Sequence, residues 1–107
     1  SVLGLLDGRG VAERTVRREA PEIVRPSPDV TAADAARALA ATRAALRDAL
    51  ASADGLALGE IRAAHAALGE MDLYQWVLFV GQHERRHAAQ LREIAARLAG
   101  GAERAAS

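Results

Sequence analysis

The chain has no cysteine and no lysine, three prolines, and one residue each of Phe, Trp and Tyr. Without cysteine there is no disulfide framework, no thiolate metal site and no thiol nucleophile. Without lysine, all fourteen basic residues are arginine; fourteen acidic residues balance them, and the formal net charge is zero. Binding to nucleic acid or to an anionic membrane surface draws on a positive excess that this chain lacks. Neither is expected as a partner. No apolar run approaches the length of a membrane span. No signal peptide is visible, so a cytoplasmic location is the expectation.

What is present is mostly Ala, Leu and Arg. Half of the 107 residues are apolar, enough for one small domain. Ala and Leu lose little on entering a helix, whereas the β-branched residues that favour strands are a minority. An all-α fold is therefore expected. Its core would be thin, because Ala buries little area per residue.

Ser1 to Asp7 carries Val2, Leu3, Leu5 and Leu6 and is closed by Gly8 and Gly10. It reads as the tail of a helix that begins before Ser1. Val11 to Val30 reads as a linker with a brief helical turn around Glu13 to Glu19. Pro21, Pro26 and Pro28 forbid a continuous helix through its second half. Thr31, with Asp34 three residues on, resembles a capping box and opens a helix to about Ala53, ended by Asp54-Gly55. Ala36, Leu39, Leu46 and Leu50 form its apolar stripe. Leu58 to Leu68 is compatible with a short helix broken at Gly69. Asp72, with Gln75 behind it, opens a second long helix, expected to run to about Ala99 and stop at Gly100-Gly101. Residues 101–107 then form a flexible tail. The inner stripe of this helix reads Leu73, Trp76, Val80, His83, His87, Leu91, Ile94, Leu98, in steps of three or four.

His83 and His87 are the residues that suggest chemistry. One helical turn apart, they stand one above the other, with a rise of about 6 Å. Two imidazoles so spaced can converge on one metal ion, and their place on an apolar stripe calls for partners to their ring nitrogens. The plainer alternative is two partly exposed histidines bonded to carboxylates or water. A formal His-Glu-x-x-His protease motif, His83 to His87, would use Glu84 as general base. It needs a further ligand downstream, where only Glu93 and Glu103 follow. Gln90 is either a partner to a ligand or a surface residue. Trp76 and Phe79 read as core packing, with Tyr74 at the rim.

The segment from Ala64 to Leu98 resembles the last helix of the DinB-like superfamily. That pattern has a His-Pro-x-x-Gly-like turn, an aromatic-Gln/Glu-Trp entry, and then His-x-x-Arg-His-x-x-Gln. Here these are His65-Ala66-Ala67-Leu68-Gly69, with Ala in place of Pro, then Tyr74-Gln75-Trp76, and His83 through Arg86 and His87 to Gln90. Upstream, Ser27-Pro28 before an Ala/Leu/Arg helix is compatible with the family.

The resemblance implies an up-down-down-up four-helix bundle, its long crossover joining helices two and three. This chain would be a single partial domain over residues 1–107, with 11–30 as the crossover, lacking helix one and most of helix two. The family's metal site takes one His from helix two and two from helix four; His83 and His87 match the latter pair. The first has no counterpart here, since His65 matches the turn. Water, a neighbouring chain or a rotated His65 would complete the shell.

Members include mycothiol-dependent maleylpyruvate isomerase and bacillithiol-dependent transferases. The expected cofactor is a divalent metal, zinc first, with nickel, manganese or iron as alternatives, together with a low-molecular-weight thiol. The expected function is thiol-dependent transfer or isomerisation, with a small-molecule thiol or electrophile as partner and a homodimer as assembly. The alternative is a non-enzymatic, dimerising helical stress-response module with an incomplete metal site.

Overall fold

A computed structural model describes residues 11, 12, 14 and 17–106. The helix end read at Ser1 to Asp7, and part of the turn read around Glu13 to Glu19, lie outside the described residues. The chain divides into two compact units, residues 18–57 and residues 1–17 with 58–107.

In the first unit, Pro21 precedes a single 3-10 turn, Glu22–Val24, in otherwise extended chain. Helix α1, Ala32–Ser52, follows. Thr31 caps it as the sequence suggests: its Oγ1 accepts the Asp34 N–H at 3.1 Å, and Asp34 pairs with Arg37 one turn on. A hydrogen bond from the Thr31 side chain to the carboxyl, and then the Arg37 guanidinium, hold Asp34 below the usual carboxylate range. Within the helix, Thr42 Oγ1 donates to the Ala38 carbonyl at 3.0 Å and Ser52 Oγ to Asp48 at 2.9 Å. Gly55, at φ +83°, turns the chain away just past the helix end. Helix α1 has no buried residue, and Leu39 of its apolar stripe is 62% exposed.

The second unit departs from an all-α fold. Leu58 to Leu68 is not a helix. It forms a 3-10 turn, Leu58–Glu60, and strand β1, Arg62–His65, which pairs antiparallel with β2, Gly69–Asp72. The register sets Arg62 opposite Asp72 and His65 opposite Gly69, leaving a three-residue loop. Gly69 takes the left-handed conformation, φ +81°, that such loops require. The His65 side chain completes the loop, its Nδ1 accepting the N–H groups of Ala67 and Leu68 at 3.0 and 3.1 Å. A helix would satisfy those two donors less directly in a segment ending on a glycine with positive φ.

Helix α2, Leu73–Ala106, is about 50 Å long. It starts on a reciprocal cap: Asp72 Oδ1 accepts the Gln75 N–H, and Gln75 Oε1 accepts the Asp72 N–H, both at 2.9 Å. The hairpin and the 3-10 turn before it pack on the first turns of α2. Trp76 Nε1 donates to the Ala63 carbonyl at 3.0 Å and pins them together. Met71, 2% exposed, sits beneath.

The helix does not stop at Gly100-Gly101. Neither glycine has positive φ, and α2 continues to Ala106, so residues expected to form a tail are helical. The surrounding Ala and Arg propagate the helix through two residues that each cost about 1 kcal/mol relative to Ala. The expected inner stripe also fails in its second half: Leu91, Ile94 and Leu98 are 67%, 50% and 70% exposed. The described residues thus form a mostly helical chain with two α-helices and one small hairpin.

Candidate functional site

The face of α2 that follows Trp76 carries a run of rings. Trp76 and Phe79 meet edge to face, with centroids 5.8 Å apart, and His65 reaches in from the hairpin to touch both, at 5.5 and 4.7 Å. Phe79 stacks on His83 at 5.4 Å, and His83 lies 4.5 Å from His87. Helical spacing produces this line: residues 76, 79, 83 and 87 advance by three or four, and β1 supplies the fifth ring.

The sequence expectation that both imidazoles lie inside is corrected, since His83 and His87 are exposed side chains. Their convergence is nevertheless close. His83 Nε2 and His87 Nε2 are 2.9 Å apart. On the far side of its ring, His87 Nδ1 lies 2.6 Å from Gln90 Oε1. An amide oxygen only accepts, so Nδ1 of His87 carries a proton, and the two facing Nε2 atoms share a single hydrogen between them. Gln90 therefore sets the tautomer and the ring orientation of His87, the role the sequence had left open between a ligand partner and a surface residue.

His83 has its pKa lowered, first by desolvation and then by the nearby His87, Arg86 and His65. The neutral ring is the form with a lone pair to offer.

Two imidazoles with facing Nε2 atoms are a fitting donor set for a divalent metal. In a tetrahedral zinc site two such nitrogens stand about 3.3 Å apart, a small opening from the separation here. Among the described residues, no group of three His, Asp or Glu side chains is gathered to hold a metal. His65 is near the pair but is not brought in as a third donor, because its Nδ1 is taken by the two loop N–H groups. Glu93, which a His-Glu-x-x-His protease would need downstream, is committed to Arg14 by bonds of 3.0 and 3.4 Å. That pairing holds its carboxyl below the usual range.

Two features escaped the sequence. The hairpin that delivers His65 is hidden in Ala-rich sequence without strand alternation; its one signal is Gly69 placed four residues after a histidine. Gln82, 5% exposed, is a buried polar residue on the side of α2 next to the ring line, with Arg85 donating to its Oε1 at 3.5 Å.

Comparison with known proteins bears on the same segment. A family model described as the DinB superfamily matches residues 2–91. The chain is also similar to the uncharacterised protein YuaE of Bacillus subtilis (strain 168), at 31% identity over 83 residues, 77% of this chain and 51% of that protein. The chain thus spans about half the length of that relative. No solved structure matches. The family match covers most of the chain and includes His83, His87 and Gln90, and the chain belongs to the DinB superfamily.

Proposed function

We propose that this chain is a divalent-metal-binding domain of the DinB four-helix type, with His83 and His87 as ligands, and that it serves thiol-dependent transfer or isomerisation. The observation that carries this reading is the 2.9 Å approach of the two Nε2 atoms, backed by the Gln90 amide on His87. Zinc is the first expectation, with nickel, manganese or iron as alternatives. When bound, such an ion acts as a Lewis acid and lowers the pKa of a coordinated thiol or water, so that a nucleophile is available near neutral pH.

The chain's own residues have simpler tasks. Gln90 keeps the His87 proton on Nδ1 and its Nε2 lone pair outward. His83 presents its own Nε2 toward the same point. Phe79, stacked on His83, keeps water from one face of that ring. The substrate class, a small-molecule thiol with an electrophile, rests on family membership, and fold alone does not fix function.

Elemental analysis of the purified chain beside His87→Ala tests the site. Half to one equivalent of metal per chain is expected in the parent and none in the variant. Absence of metal from both, after incubation with zinc and desalting, would sink the reading. A non-enzymatic helical module is the second reading, favoured by the exposed apolar face of α2 at Leu91, Ile94 and Leu98. A metal-loaded chain that consumes no thiol in the presence of an electrophile would turn the balance toward it.

A further inference from the structure

We propose that His65 is a pH-sensitive latch on the hairpin loop: as a neutral ring it holds residues 66–68 closed, and on gaining a proton it lets them go. The latch requires no metal. It consists of one lone pair. His65 Nδ1 accepts the N–H of Ala67 at 3.0 Å and that of Leu68 at 3.1 Å, so the hydrogen of the neutral ring sits on Nε2. The side chain thus closes the chain onto itself two and three residues on, as Asn or Asp does in an Asx turn. Neither of those changes its charge near neutrality, whereas imidazole does so between about pH 5 and 8.

A proton and the two N–H groups compete for that lone pair. Imidazolium carries a hydrogen on both nitrogens and accepts at neither, so acid removes the acceptor of both loop donors at once. The strands on either side are four residues each, and a two-stranded hairpin is marginal by itself. The Trp76 bond to Ala63 and the buried Met71 hold the strands, not the loop. Losing two hydrogen bonds from the loop lowers its closed-to-open ratio about 10- to 30-fold.

The surroundings of the ring leave this competition to decide the outcome. Trp76 and Phe79 of α2 touch His65, with centroids 5.5 and 4.7 Å away, and both are uncharged. Their faces attract a cation, so a charged ring can keep these neighbours while its loop bonds break. Within the hairpin, Arg62 and Glu70 pair with each other at 4.0 Å, and the Asp72 carboxylate is engaged in the cap of α2. The 3-10 turn packed beside them brings Glu60. Further along α2, His83 is near enough for the charge of His65 to oppose its own.

The test follows the amide signals of Ala67 and Leu68 and the ring signals of His65 by NMR, in the full chain with EDTA, from about pH 8 to about pH 5. In the parent both amide protons should move upfield together as the pH falls, with the midpoint of the His65 ring itself. His65→Asn keeps an acceptor without a titrating group, and its two amides should hold the closed positions over the whole range. His65→Ala has no acceptor and should show the open positions already at about pH 8. Amides that keep the closed positions in the parent while the His65 ring is charged overturn the latch. So does an acid shift of the same size in His65→Asn, which would assign it to Glu70, Asp72 or His83.

Discussion

At the scale of single residues, the site depends on one hydrogen bond that the helical repeat makes available. Gln90 stands three residues after His87, where the helix brings side chains onto neighbouring ground, and its carbonyl oxygen lies 2.6 Å from the ring nitrogen. Without that acceptor the imidazole is free to carry its proton on either nitrogen, and half its outward face is lost as a ligand. Gln90→Leu is expected to weaken zinc affinity by about 10- to 100-fold, the usual effect of removing a partner behind a ligand. Competition against a chromophoric chelator reads this directly. An affinity equal to the parent's would mean that His87 is not a ligand through Nε2. The convergence of His83 and His87 was legible from their spacing alone. Their exposure was not, because an apolar stripe names a face without naming what covers it.

At the scale of elements, the caps were readable and the interior breaks were not. Thr31 with Asp34, and Asp72 with Gln75, make the hydrogen bonds their residue types prescribe. Such bonds are local, so sequence neighbours suffice to foresee them. Gly100 and Gly101 carry the same local signal for a helix stop, yet α2 passes through both without positive φ. A glycine permits a stop but does not compel one. It follows that Gly100→Ala and Gly101→Ala should each stabilise the helix, by about 1 kcal/mol at most. Open space surrounds both positions, so an added methyl group meets nothing. Thermal unfolding by circular dichroism should show a raised midpoint and more helix. A lowered midpoint would mean that the helix ends on one of these glycines after all.

At the scale of the whole molecule, the described residues bury little. Met71 is the buried apolar side chain among them, lying under the hairpin and the start of α2. Small domains are marginal in any case, with total stabilities of about 5–15 kcal/mol. Met71→Ala would remove the anchor of β2 at a cost of about 2–5 kcal/mol. Urea titration should therefore place the variant close to unfolding, whereas a midpoint within a few tenths molar of the parent's would show that the hairpin carries little of the stability.

The sequence by itself determined the helical bias, both N-terminal caps and the pairing of His83 with His87. Each follows from composition or from contacts within one turn of chain. Tertiary structure alone decided that residues 62–65 and 69–72 form a hairpin, that His65 closes its loop instead of joining the pair, and that Leu91, Ile94 and Leu98 are exposed. These depend on which segments lie against one another, and periodicity along a chain records only which side of an element is apolar.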